Sequence, residues 1–364
     1  MKKTTLLKSM LLLCALIVGS GSVWATVKDV LTAADFNATT TTYVDFLSVS
    51  KPSGAIYAGQ SAKSSSDGIQ LRSKYSNSGI VSTTSPGKVK SVKITVESGT
   101  NTIEVWGSNT AYTAASDLYD SGKKGTKVGS VTATGIINFT SDYAYVGIRS
   151  NNGAIYITSI EIEWDVTVGA DFSAAGWNTF SSSYKLDLSE VTGGTAYVAT
   201  EVNASNKVVL TPVTDKIVAP NAGLMIKKEG TASAFTIKAT SNDVTYAGTN
   251  LFVGVSSATD VPASTGSDYY YVFGWTDPAS PCFYKVVSGH RPNLAAGKAY
   301  LHTTTALAAN AFNFEFEDGD VTGIKFVETQ KNLLDGNFYN LAGQKVQNPT
   351  KGLYIVNGKK VIIK

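Results

Sequence analysis

Tyr143-Ala144-Tyr145-Val146-Gly147-Ile148-Arg149-Ser150-Asn151-Asn152-Gly153-Ala154-Ile155-Tyr156-Ile157-Thr158-Ser159-Ile160-Glu161-Ile162-Glu163-Trp164 reads as two alternating runs divided by Asn-Asn-Gly. Alternation with a period of two marks a strand with one buried face, and the Asn/Gly cluster marks the connection. The length of that connection decides which faces coincide. A two-residue loop pairs even positions with odd ones and sets Val146 and Ile148 beside Ser159 and Glu161, mixing polar with apolar. A three-residue loop with Gly153 in the left-handed position pairs even with even, so that Val146 and Ile148 join Tyr156, Ile160, Ile162 and Trp164. Only the second register separates the faces. The expected structure is a hairpin whose even face is core, leaving Tyr143, Tyr145, Arg149, Ser159, Glu161 and Glu163 facing solvent or a ligand.

The same pattern extends in both directions. Thr, Ser, Val, Ile and Tyr dominate short alternating runs separated by Gly, Asn, Asp and Pro, and helical periodicity is nearly absent. Strands are expected at 89–97, 102–106, 135–139, 143–149 and 155–164, forming one unit that ends near Asp165. A second set is expected at 197–200, 207–213, 223–227, 235–239, 269–273, 283–287, 298–301 and 312–316. In the tail, Asn357-Gly358 lies between 353–356 and 359–363, and Asn-Gly supplies the positive φ angles of a tight type I′ hairpin. The chain's length allows about two to three domains. The fold class expected is all-β: two β-sandwich or jelly-roll-like domains at 26–165 and 166–321, then a small C-terminal β-hairpin domain at 322–364.

Lys2, Lys3 and Lys8 precede the apolar run 10–18, and Val23-Trp24-Ala25 supplies the small residues of a cleavage site. This is the pattern of a secretory signal over 1–25, cleaved after Ala25, and it implies a secreted or outer-surface location. Residues 1–25 hold three of the 31 basic residues and none of the 28 acidic ones, so the remainder is formally neutral. A neutral chain lacks the field that draws proteins to phosphate backbones, which argues against nucleic acid. No later segment reaches the roughly 18 apolar residues of a membrane span. Cys14 lies in the leader, leaving Cys282 without a disulfide partner and expected as a buried small hydrophobe.

Within 102–106, Ile103 and Val105 share one parity, Glu104 and Trp106 the other. Trp106 thus points where polar residues point. There it meets either a flat ligand such as a sugar ring, or the next loop laid over it as a lid. That loop adds Asn109, Tyr112 and Tyr119, while Arg72, Lys74 and Tyr75 form another polar-aromatic stretch. Arginine beside aromatics favours binding but also decorates exposed sheets. The sequence shows no nucleophile elbow, HExxH, CxxC or phosphate loop around His290, His302 or elsewhere. Glu317-Asp318-Gly319-Asp320 resembles a fragment of a calcium loop but lacks its spacing, and reads instead as an acidic linker between β units. No cofactor or metal is expected, and the chain is not expected to be an enzyme.

Two resemblances add to this. The run 338–346, Phe-Tyr-Asn-Leu-Ala-Gly-Gln-Lys-Val, with 351–361 after it, resembles the C-terminal tail of Bacteroidetes proteins that carry type IX secretion sorting domains. This implies a small β domain that engages secretion machinery. Ile103-Glu104-Val105-Trp106-Gly107-Ser108-Asn109 and Tyr145-Val146-Gly147-Ile148-Arg149, closed by Ile160-Glu161-Ile162, resemble galactose-binding-like jelly rolls. Members of that family bind sugars or proteins through loops at one end of the sandwich. The resemblance favours Arg72, Trp106, Asn109, Tyr112 and Asn151 as ligand-binding residues, and Arg149 joins the candidates from the outward face of its strand. The middle region, with Gly176-Trp177-Asn178-Thr179-Phe180, looks like an accessory β domain of secreted Bacteroidetes proteins and carries no activity over. The function expected is an exported, non-catalytic protein whose partner is a glycan or an extracellular protein. The alternatives are a purely structural or adhesive component, then a glycan-processing enzyme.

Overall fold

The computed structural model describes residues 26–36, 38–64, 68–75, 78–203, 205, 207–275, 281–305, 311–312, 314–316, 338–339, 344–346, 352–356 and 359–363. Residues 1–25, with the expected secretory signal, the Glu317–Asp320 acidic run, Asn340 to Gly343 and Asn357-Gly358 lie outside them.

Eleven strands occupy the N-terminal part: β1 (Val27–Thr32), β2 (Val44–Ser50), β3 (Ile56–Lys63), β4 (Ile69–Arg72), β5 (Gly79–Thr84), β6 (Lys88–Ser98), β7 (Ile103–Ser108), β8 (Thr126–Val131), β9 (Gly135–Asn138), β10 (Tyr145–Ser150) and β11 (Ala154–Asp165). Hydrogen-bonded neighbours run β8-β7-β10-β5-β3-β4-β11-β6-β9, with β2 on β3 and β1 on β11. The path folds over at β3. Its residues Ile56 to Gln60 pair β5, whereas Ala62 and Lys63 pair β4. Both layers contribute to a shared core, including Ile80, Val105 and Ile148 from one side and Val92, Ile94, Ile160, Ile162 and Trp164 from the other. This is the all-β sandwich that the alternating runs require.

The diagnostic stretch folds differently from the expected hairpin. The connection is three residues long, 151–153, but β10 pairs β7 and β5 while β11 pairs β1, β4 and β6. The two strands thus sit in opposite layers and the loop crosses the sandwich. Either arrangement gives them a common apolar side, because both face the core. A second correction concerns Tyr156. The ladder between β11 and β6 slips around Thr158, a bulge that reverses the alternation, so Ile155 and Ile157 are buried and Tyr156 turns outward.

One carboxylate is sealed in this core. Asp29 is almost fully buried and accepts from the Ser53 amide (3.2 Å), the Ser53 hydroxyl (2.6 Å), the Tyr57 hydroxyl (2.8 Å) and the Trp164 indole (3.1 Å). Four donors satisfy its buried oxygens.

The following segment forms three larger sheets and a two-stranded one among the described residues. Strands β12 (Thr167–Asp171), β13 (Trp177–Phe180), β14 (Lys185–Thr192), β15 (Gly194–Val202), β16 (Val208–Pro212), β17 (Ile217–Val218), β18 (Leu224–Lys228) and β19 (Ala234–Thr240) come first. Next are β20 (Phe252–Gly254), β21 (Thr259–Asp260), β22 (Tyr269–Gly274), β23 (Cys282–Lys285), β24 (Asn293–Leu294), β25 (Ala299–Thr303), β26 (Ala311–Phe312) and β27 (Phe314–Phe316). The sheet β13-β18-β15-β16-β27 is apolar on both faces. Ala196, Val198, Leu224 and Ile226 pack with the β12-β19-β14-β17 sheet, while Tyr197, Ala199 and Met225 pack with β20-β25-β22-β23-β26. Burial on both sides explains why 196–199 and 224–226 read as continuous rather than alternating apolar runs. Cys282, on β23, is a free thiol and only half-buried. The first sandwich is bonded to this segment: the Tyr184 hydroxyl donates to the Ser53 carbonyl (2.7 Å), the Ser241 amide to the Thr26 carbonyl (2.7 Å), and Lys238 pairs with Asp165.

In the tail, β28 (Phe338–Tyr339), β29 (Lys345–Val346), β30 (Gly352–Val356) and β31 (Lys359–Ile363) form a sheet in the order β29-β28-β30-β31. Val356 faces Lys359, which leaves two residues for the connection, as the Asn-Gly signal implies. Among the described residues no helix is long and apolar enough to cross a membrane.

Candidate functional site

Four of the six candidate residues are engaged within the fold. On β7, Ile103 and Val105 enter the main core, and Glu104 and Trp106 lie on the other face, as their parity requires. That face is not open. The segment 109–125 lies over it, and its Tyr112 and Leu118 form a second small core with Trp106, Val81 and Ala58. Gly147 permits this approach, since a Cβ there would run into Leu118 Cδ2. The loop is shaped by Asp117, which accepts from the Thr113 amide (2.7 Å) and hydroxyl (2.8 Å), and is fastened by the Tyr112 hydroxyl donating to the Lys124 carbonyl (2.9 Å).

Arg149 is the brace of this arrangement. Its Nε donates to Glu104 Oε2 (3.0 Å), its Nη1 to the Leu118 carbonyl (2.6 Å), and its guanidinium lies 5.1 Å from the Trp106 ring centroid and 4.9 Å from that of Tyr119. Lys127 completes the pair to Glu104 at 2.9 Å. Burial alone would raise the Glu104 carboxyl, but hydrogen bonds from Lys127 and Arg149 outweigh it and hold the group below the usual carboxylate range. Trp106, Tyr112 and Arg149 are therefore anchors of a covering loop. Asn109 is likewise spent: its side chain donates to the Asp142 carbonyl (3.1 Å) and accepts from the Ala144 amide (3.0 Å).

The remaining two, Arg72 and Asn151, share one end of the sandwich. Three connections meet there: the Ser73 amide donates to the Asn152 carbonyl (3.0 Å), the Asn151 amide to the Thr102 carbonyl (2.9 Å), and Asn101 Nδ2 to the Ala154 carbonyl (2.7 Å). Asn151 is exposed at this rim. Gln70 and Arg72 share the outward face of β4, and Tyr156 stands opposite Gln70 on β11. Tyr43, just before β2, stacks on Tyr75 with ring centroids 4.4 Å apart and planes tilted by 32°. Tyr43 donates to Gln70 Oε1 (3.1 Å), and Gln70 Nε2 donates to the Tyr156 hydroxyl (2.8 Å), fixing the amide between two phenols. Burial raises the Tyr43 hydroxyl above its ordinary range against the opposing charge of Arg72, so it remains a neutral donor. Tyr75 is 42% exposed. Arg72 is half-buried, and no ion pair or hydrogen bond holds its guanidinium among the described residues.

The result is a shallow platform with an aromatic face, a fixed amide, two phenols and an uncommitted cation. Sequence reading finds Arg72 and its neighbour Tyr75 but misses Tyr43, Gln70 and Tyr156. Tyr43 reaches Tyr75 only through the pairing of distant strands, and Tyr156 depends on the bulge at Thr158.

A second polar group lies in the later sheets. His302 Nε2 meets Asp268 Oδ1 at 2.9 Å, and its ring stacks on Tyr270 at 4.7 Å and 11°. The hydrogen bond from His302, then one from Ser267, holds Asp268 below its ordinary range. Beside it lies an open cavity of about 310 Å³ lined by Thr200, Glu201, Val202, Leu251 and Thr303 to Thr305. Among the described residues the other imidazole nitrogen makes no hydrogen bond. His290 closes a turn with its amide on the Val287 carbonyl (3.0 Å). Among the described residues no group of three or more His, Cys, Asp or Glu could hold a metal ion.

No protein-family model matches this chain, and no curated protein matches it. Among solved structures, the crystal structure of an F-lectin (fucolectin) from the serum of Morone saxatilis (striped bass) is similar over 61% of this chain and 92% of that one, at 9% identity and a TM-score of 0.20.

Proposed function

We propose that the N-terminal sandwich is a non-catalytic carbohydrate-binding module and that Tyr43, Gln70, Arg72, Tyr75 and Tyr156 form its site. One observation carries the reading: a tyrosine pair with an exposed face stands beside a fixed amide and an arginine whose guanidinium has no ion pair or hydrogen bond among the described residues. A pyranose offers a flat C–H face to such a ring and hydroxyls to an amide, a phenol and a guanidinium. The site is shallow and solvated, so single-site binding is weak. The module occupies 26–165, the sheets of 166–321 act as an accessory spacer, and 322–364 is a tail for secretion machinery. Export is supported by the Lys-rich apolar leader and by the tail's Gly-punctuated hairpin pattern.

A glycan array probed with the full chain from Thr26 tests this. At least one glycan class is expected to bind, with Tyr75→Ala removing the signal and Trp106→Phe, which preserves the packed loop, retaining it. Absence of any glycan signal, with capture of an extracellular protein instead, would favour the adhesive alternative.

A further inference from the structure

We infer that the rim site selects acidic sugars, with the guanidinium of Arg72 receiving the carboxylate of a uronic acid. The inference rests on the carbohydrate reading above and deepens it.

The chain has three arginines, Arg72, Arg149 and Arg291. Arg149 is bound by Glu104 and the Leu118 carbonyl. Arg291 donates to the carbonyls of Val261 (3.0 Å) and Asp260 (3.3 Å). Arg72 alone has no such commitment among the described residues, although it is half-buried against Tyr43 and the outward face of β4. A guanidinium is a rigid planar fork of five donors, and its preferred partner is a carboxylate engaged by two parallel N–H bonds. Partial burial removes some of its water without supplying that partner, so a ligand acid gains here what Glu104 supplies to Arg149.

The surrounding charge points the same way. Lys74, two residues on, is exposed and shares the sign of Arg72. Among the described residues no carboxylate pairs with Arg72, and Glu97, whose Oε2 stands next to Gly68, accepts from the Ser64 hydroxyl at 2.8 Å. The apolar and neutral elements, Tyr75, Gln70 and Tyr156, then hold the sugar ring while Arg72 reads its acid group.

The test compares oligomers of galacturonate, mannuronate and glucuronate-containing repeats, each beside its carboxyl-reduced counterpart, titrated into the full chain from Thr26. The expected result is that at least one acidic oligomer binds about tenfold or more tightly than its reduced form, a gap typical of one charge-assisted bidentate contact. The gap should narrow as salt rises. Arg72→Gln should abolish the preference, bringing the acidic oligomer down to the affinity of its reduced form or below, whereas Tyr75→Ala should remove binding of both. Circular dichroism of each variant checks that the sandwich is intact. Equal affinity for acidic and reduced oligomers, unchanged in Arg72→Gln, would overturn acid selection while leaving the carbohydrate site standing. Failure of every oligomer and every neutral glycan to bind would overturn the site itself, and this inference with it.

Discussion

Two arginines on the outer surfaces of one sandwich, each beside a pair of aromatic rings, have opposite fates. Arg149 lies between Trp106 and Tyr119, with Glu104 and a loop carbonyl absorbing its donors. Arg72 lies beside Tyr43 and Tyr75 with no acid in contact among the described residues. The residue types are alike, and the difference is whether the fold itself supplies the acceptor. Where it does, arginine and aromatics are a clamp that holds a loop. Where it does not, they remain available to something outside the chain.

Stability should separate the two faces most sharply. Under urea, Trp106→Ala should cost about 3 kcal/mol, since it empties the small core under the loop. Arg149→Ala should cost about 2 kcal/mol, because it leaves Glu104 largely buried with Lys127 as its remaining partner. On the rim, Tyr75→Ala and Arg72→Gln should each cost less than about 1 kcal/mol. Rim variants as destabilising as Trp106→Ala would show that the platform is structural and erase the contrast.

Acid should produce a smaller effect, to which the clamp contributes. The folded state holds Glu104 below its ordinary value, so the stability it contributes is fully present above the unfolded value of about 4.5 and is lost as pH falls through the lower folded value. Asp117, where burial opposes hydrogen bonds from Thr113, Lys123 and Ala114, also ends below its ordinary range and adds in the same direction. Thermal midpoints should be flat from pH 7 to about 5 and fall below that, less steeply in Glu104→Gln. A variant that loses stability over the same interval as steeply as the parent would remove Glu104 from the acid response.

Much of the fold was legible because alternation reports burial directly. The parity of Ile103 and Val105 against Glu104 and Trp106 placed each side chain on the correct face. Layer membership was not legible, since β10 and β11 show a common apolar side whether they pair or oppose each other. Strand β3 also escaped notice: Ala58, Gly59, Ser61 and Ala62 are too small to announce a strand, yet they lie at the fold's centre, where a Cβ on Gly59 would meet the Gly79 carbonyl and the Phe46 ring. The candidate residues divided for a related reason. Local sequence reveals an arginine near aromatics, but only the tertiary structure shows whether an acid such as Glu104 has already reached it.

The most direct test follows side-chain NMR signals while a glycan that binds the full chain from Thr26 is titrated in. The ring resonances of Tyr43, Tyr75 and Tyr156 and the guanidinium of Arg72 should shift with saturation, while the Trp106 indole and Arg149 signals stay fixed. Shifts at Trp106 and Arg149 with a silent tyrosine pair would contradict the account and return the binding face to the loop 109–125.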